Sequence, residues 1–362
     1  MFLAFGEIMA RIAPPDHLRW QQSLPGSVEV TWGGGEANVC ASLAMFGNAT
    51  RYLTALPRHP ISESLVTTLR GLGVDTSHIL WRKEGRLGLY FVEKGANQRG
   101  STVVYDREYS AVSLAEAGEY DFAQALEGVR WLHITGITPS ISAAACAANL
   151  ALVQQAKQSG VTVSCDLNFR KKLWRWRPNC EPRQLARDCM AEVLPFVDLV
   201  IANEEDAADV LDIHAEGTNV AHGQINAAAY EQVARRTIER FPNVSRVAIT
   251  LRESISADHN NWGALLFDKS LNRAFLAPLN AGGEYEPYEM HNIIDRVGAG
   301  DSFAAGLLHA LNSSKHADLQ SAINFAVAAS CLKHSVQGDF NYVTEAEVAS
   351  LAGGNASGRV QR

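Results

Sequence analysis

Late in the chain the run Asp295-Arg-Val-Gly-Ala-Gly-Asp301 sets two glycines and a carboxylate where a loop turns into a helix. Gly298, Ala299 and Gly300 carry almost no side chain, so their N–H groups can come close to an anion, and the positive end of the following helix points to the same place. Such a cradle suits a phosphate. A carboxylate in the first helical turn can take a proton from an attacking hydroxyl, which makes Asp301 a candidate base for phosphoryl transfer. The same residues also read as a tight turn with an acidic helix start, and the short motif alone leaves both readings open. A serine nucleophile is not signalled, because Gly300-Asp-Ser-Phe-Ala304 lacks the Gly-x-Ser-x-Gly spacing.

A second glycine run, Gly33-Gly-Gly-Glu-Ala-Asn38, follows an extended segment and leads into a helix. Asn38 stands where a dinucleotide fingerprint needs its third glycine, and the chain has no Gly-Lys dipeptide for a Walker loop. Asn38 can donate and accept, which suits a polyhydroxylated ligand or, equally, a helix cap. At 166–174 an apolar strand ends in polar and basic residues. Arg170 there, with Arg107 of Tyr105-Asp-Arg107, offers planar guanidinium forks for an acidic substrate; as surface arginines both can also simply be solvated. Asn203-Glu-Glu-Asp206 ends another strand with oxygens that suit Mg²⁺ held partly through water, or that merely start an acidic helix.

These residues need a scaffold, and the 362-residue chain is long enough for one large α/β domain with an elaboration. Apolar runs at 2–5, 129–135, 161–166, 199–202, 247–250 and 264–267 alternate with helical periodicity at 36–46, 62–72, 140–158, 204–211, 227–240, 301–311 and 319–334. That order predicts a doubly wound, mostly parallel sheet flanked by helices, with ligands beyond the carboxyl ends of its strands. Residues 1–8, 33–85 and 108–352 form this main domain. Segments 9–32 and 86–107 break the alternation with period-two patterns and predict a small β lid, or an extension of the main sheet. Stretches 213–226 and 269–290 read as surface loops, and 353–362 as a tail.

A net charge of −7 gives no footprint for nucleic acid or an anionic membrane. No run is long enough to span a bilayer, and Met1-Phe-Leu-Ala-Phe5 lacks the basic start of a secretory signal, so a cytoplasmic protein is expected. The six cysteines show no Cys-x-x-Cys spacing, and the eleven histidines form no close cluster in sequence, which speaks against a tightly bound transition metal.

Taken together, Gly33–Asn38, Asn203–Asp206 and Asp295–Asp301 resemble the ribokinase-like carbohydrate kinases over nearly the whole chain. Within that group the likeness is to 2-keto-3-deoxygluconate kinases, through Gly6-Glu-Ile-Met9, Tyr105-Asp-Arg-Glu-Tyr-Ser-Ala111, Asp166-Leu-Asn-Phe-Arg-Lys-Lys-Leu-Trp174 and Lys333-His-Ser-Val-Gln-Gly-Asp-Phe340. The resemblance implies ATP- and Mg²⁺-dependent phosphorylation of a sugar-acid hydroxyl, and a homodimer formed through the lid. It implies Asp301 as base and 298–300 as anion hole; Gly34, Asn38, Tyr90, Tyr105, Arg107, Arg170 and Asp339 around the sugar acid; and Asn203, Thr250, Arg252 and Asn324 near the nucleotide. Asp206 then serves Mg²⁺ through water, and Asp295 a monovalent cation such as K⁺. Arg252, Asp206 and Arg296 depart from the group's usual Gly, Glu and Thr, and the loop 254–261 is longer than usual. A kinase for a neutral sugar or a nucleoside, and a sugar-acid binder without activity, are the alternatives.

Overall fold

Strands covered on both faces must be apolar on both, and the central sheet is built that way. Leu3 and Phe5 point into one core with Leu132, Ile134, Val163, Val200 and Ile249, while Phe2 points into the opposite core with Trp131, Leu199, Ile201 and Ala248. The computed structural model describes residues 1–203, 205–215, 227–316 and 318–355.

The main sheet has ten strands. From one edge, Val74–Asp75, Thr50–Leu53, Phe2–Phe5, Trp131–Thr135, Thr162–Asp166, Leu199–Ala202 and Arg246–Ser254 run parallel, with Phe2 opposite both Thr50 and Trp131. Beyond them Asn260–Asp268 turns antiparallel and carries Arg273–Ala277 and Tyr288–Met290 on its other edge. The chain winds outward both ways from Phe2–Phe5, which places a topological switch point, and hence a crevice, beside that strand's carboxyl end. Helices Ala143–Gln158, Pro182–Val193 and Ala227–Arg240 cover one face; Gly35–Met45, Ala299–Asn312 and Leu319–Lys333 cover the other.

Glu29–Gly33, Met9–Ala13, Leu89–Glu93 and Thr102–Asp106 form a separate four-stranded sheet, so the period-two segments make a lid and do not extend the main sheet. Two expectations are corrected. The stretch 269–290 holds the strands Arg273–Ala277 and Tyr288–Met290, and the long loop at 254–261 shrinks to residues 255–259, because nine-residue partners pair from Arg246↔Asp268 to Ser254↔Asn260. Most of 213–226 and of the tail lies outside the described residues.

Candidate active site

Helix Ala299–Asn312 starts on Gly298, whose φ of +85° is left-handed and whose added Cβ would fall 2.3 Å from the Asp339 carbonyl oxygen. Only glycine fits there. The first bond within the helix runs from Ser302 N to Gly298 O at 2.9 Å, so the N–H groups of Gly300 and Asp301 precede the helical ladder and belong to its unfilled positive end. The helix is buried almost all round, wedged between Gly35–Met45 and Leu319–Lys333, which fixes where that end points.

The other glycine run faces it. Gly34 packs on the chain just after the first strand, where a Cβ would lie 2.2 Å from Glu7 O, and a Cβ on Gly35 would stand 3.5 Å from Asp301 Oδ1. Asn38, one turn into this second helix, donates from Nδ2 to Asp301 Oδ2 at 2.7 Å and accepts from Gly34 N on Oδ1 at 3.3 Å. Its amide therefore orients the carboxylate. Although open to the pocket, the Asp301 carboxyl is pushed up to about 7, chiefly by desolvation, against the lowering effect of the Asn38 bond.

Between the two turns and the lid lies a cavity of about 300 Å³. Asp301, Gly298, Ala299, Gly300, Gly34, Asn38, Tyr90, Tyr105, Arg107, Arg170, Asp339, Asn203, Asp206, Thr250 and Arg252 all line it. Tyr90, Tyr105 and Arg107 come from the lid, the others from the main sheet's strand ends, the two helix starts and the segments beside them. Asn324 does not line the cavity. It sits on helix Leu319–Lys333 and accepts from Gln320 Nε2 at 3.0 Å.

Asp295, expected to serve a monovalent ion, is also set back from the wall, with its charge met from within. Arg11 of the lid donates to Asp295 Oδ2 at 2.6 Å and to Asp339 Oδ1 at 2.9 Å, and all three side chains are buried. The amides of Val297 and Gly338 complete the Asp295 shell. Tyr90 Oη donates to the other Asp339 oxygen at 2.5 Å. Arg11 thus ties the lid to the residues on either side of the glycine turn.

Asp206 is likewise a brace: Oδ1 accepts from Phe169 N and Oδ2 from Asn203 N, both at 2.9 Å. Asp206 N in turn donates to Asn203 Oδ1. Burial and the charges of Asp206 and Asp301 hold the Asp166 carboxyl well above the usual carboxylate range, and burial raises Asp206 too. Arg107 is buried against Glu7, Nε to Oε2 at 2.6 Å, which leaves the fork of its guanidinium for other partners; Arg170, four residues past the Thr162–Asp166 strand, lines the same cavity.

Glu7, Asn260, Trp262 and His334 line the same wall and escaped the sequence reading. Asn260 is 1% exposed, yet both its side-chain polar atoms lack a protein partner, as does the buried Glu7 Oε1. An orphaned buried amide in a cavity wall is a socket for a ligand's hydrogen bonds. Asn260 sits inside an ordinary strand pattern, so only its pairing with Ser254 exposes this role.

A glycine turn at an open helix start, a carboxyl pushed up to about 7 and a cavity roofed by a separate sheet are the parts a phosphotransferase needs on a doubly wound fold. The sequence profile of the pfkB family of carbohydrate kinases matches residues 1–236 and 263–345, and the chain belongs to that family. Among solved structures, 2-dehydro-3-deoxygluconokinase from Thermotoga maritima is 41% identical, covers 98% of this chain and 99% of its own, and superposes with a TM-score of 0.86. A PfkB family carbohydrate kinase from Listeria grayi is 29% identical, with coverage of 97% and 99% and a TM-score of 0.83. The 2-dehydro-3-deoxygalactonokinase of Haloferax volcanii is 29% identical over 98% of this chain and 97% of its own.

Proposed function

We propose that the chain phosphorylates the 6-hydroxyl of 2-keto-3-deoxygluconate with ATP. The observation that carries this reading is the meeting of Asp301 with the helix-start amides at one point of a cavity whose walls also carry Arg107 and Arg170. Two guanidinium groups around one cavity suit a carboxylate-bearing acceptor and are surplus for a neutral sugar. The names of the Thermotoga maritima and Haloferax volcanii relatives support the same acceptor class and differ by one epimer.

In this reading Gly34, Tyr90, Tyr105, Arg107, Arg170 and Asp339 surround the sugar acid, and Asn38 holds Asp301 toward its hydroxyl. The nucleotide lies along Asn203, Thr250, Arg252 and the 298–300 turn, with the unpartnered Asn260 amide available to it. Asp301 takes the hydroxyl proton as that oxygen attacks the γ-phosphorus, whose bond to the β–γ bridging oxygen breaks and releases ADP. The amides of Gly300 and Asp301 stabilise the charge that spreads over the transferring group. Asp166, Asp206 and Asp301 gather on one wall with Arg170 as their neighbouring cation, and a set of three carboxyls beside the phosphate site fits a divalent ion. Asp206 would hold Mg²⁺ through water, and the ion's chemistry is to neutralise the polyphosphate.

Closure of the lid over the acceptor keeps water from Asp301, which would otherwise be activated in the sugar's place. The lid's exposed Val30 and Val104 are the natural seam for a homodimer. Among the described residues no helix is long and apolar enough to cross a membrane, and the six cysteines are unpaired; we place the enzyme in the cytoplasm. Product analysis tests the reaction: phosphorus–proton correlation NMR should put the new phosphate on the C6 oxygen, and phosphate on another carbon, or free phosphate alone, overturns it.

A further inference from the structure

A cluster outside the catalytic cavity has the form of a metal site. His259 precedes the strand Asn260–Asp268, while Glu289 and His291 lie on and just past the strand Tyr288–Met290. Those strands pair Asn260↔Met290 and Asn261↔Glu289, so one step further His259 comes opposite His291. Glu289 and His291, two residues apart on an extended segment, share a face. Pairing and alternation thereby converge three side chains separated by up to 32 positions in sequence, which no local spacing could announce.

The distances suit coordination. Glu289 Oε1 lies 3.2 Å from His259 Nε2 and 3.1 Å from His291 Nε2, and all three ligand atoms fall within 4.8 Å of one another. Ligands about 2.0–2.1 Å from a tetrahedral zinc stand roughly 3.3 Å apart. His259 Nε2 is shielded from solvent and, although 3.2 Å from Glu289 Oε1, makes no well-aligned hydrogen bond, so its lone pair is left for another partner. The two imidazoles pack against each other, centroids 4.0 Å apart and planes tilted by 39°.

We infer that His259, Glu289 and His291 form a binding site for a divalent late first-row transition ion, with zinc the best match to two imidazoles, a carboxylate and an open fourth position. The site would act as a clasp. It would pin the 255–259 loop to the Tyr288–Met290 strand, and Arg296, which flanks the phosphate turn, donates to the Ser256 and Ala257 carbonyls of that loop. The ion takes no part in phosphoryl transfer, so the inference stands or falls apart from the choice of sugar.

Co²⁺ absorption on the untagged, metal-stripped full chain is the test, in millimolar Mg²⁺ to fill oxygen-only sites. One Co²⁺ per chain should give the intense visible bands of a tetrahedral site, stoichiometric Zn²⁺ should displace it, and Zn²⁺ should raise the thermal midpoint. His259→Gln and His291→Gln should each weaken binding at least about tenfold, since even outer-shell changes at metal sites cost that much. Both imidazoles are partly or largely exposed, at 24% and 57%, so these variants should keep the parent's circular dichroism; Glu289→Gln gives a third, near-isosteric removal of a ligand. Equal Co²⁺ affinity in parent and variants, or no Co²⁺ bound at stoichiometric concentration, would reduce the cluster to a histidine–carboxylate ion pair and overturn the inference.

Discussion

As the proposed base, Asp301 works only as a carboxylate, and burial makes that form costly. With its carboxyl pushed up to about 7, the free enzyme's kcat/KM should climb as pH rises through that value and level off above it. Asn38 donates to the ionised form, so Asn38→Ala should move this limb to higher pH as well as lower the rate. An unshifted limb would separate Asn38 from the base. Because the folded carboxyl lies above its unfolded range, its stabilising contribution is full only at acid pH and fades as pH rises through about 7. Asp301→Asn should therefore melt no lower than the parent at pH 8 while losing about 10²–10⁴-fold in turnover, which a coupled assay beside a thermal melt would check. Arg107→Ala and Arg170→Ala should raise KM for the sugar acid and leave that for ATP nearly unchanged.

At the scale of elements, the glycine turn and the lid are held by groups far apart in sequence. Gly298→Ala forces a side chain into a left-handed position against Asp339 O, for about 1–2 kcal/mol of backbone strain before the clash is counted. Turnover should fall with it, as a displaced turn no longer aims its amides; wild-type kinetics would show that the turn tolerates the shift. Arg11→Met leaves two buried carboxylates without their cation and should cost about 3–5 kcal/mol, read as a lower urea midpoint. The turn itself was legible in sequence because glycine spacing is local. Arg11 was not: its partners stand 284 and 328 residues away, and nothing in Met9–Ala13 distinguishes it from a lid surface residue. Helix Pro182–Val193 was missed although it carried a signal, a proline at its first turn and apolar residues at 185, 186, 189, 190 and 193. The strands Arg273–Ala277 and Tyr288–Met290 were hidden by their shortness and polar flanks.

For the whole molecule, the alternation of apolar runs and helical periods was enough to give the doubly wound sheet and its ligand edge, since strands buried on both faces announce themselves by composition. The lid was legible as a change of period. What sequence could not give was which residues meet: Asn260 and Trp262 reach the cavity only through the antiparallel pairing beyond Arg246–Ser254, and His334 reaches it from the end of helix Leu319–Lys333. The same limit applied to the histidines, scattered in sequence yet gathered at one corner by strand register. If the lid seam joins two copies, Val30→Glu with Val104→Glu should halve the mass seen by light scattering without unfolding the chain; an unchanged dimer would move the interface elsewhere.

Sugar-dependent ADP release by the purified chain with Mg²⁺-ATP tests most directly whether the acceptor is a sugar acid. The acceptors to compare are 2-keto-3-deoxygluconate, its galactonate epimer, gluconate, fructose, ribose and adenosine. The highest kcat/KM should fall to 2-keto-3-deoxygluconate, well above every neutral acceptor. Equal or faster phosphorylation of fructose, ribose or adenosine would contradict it.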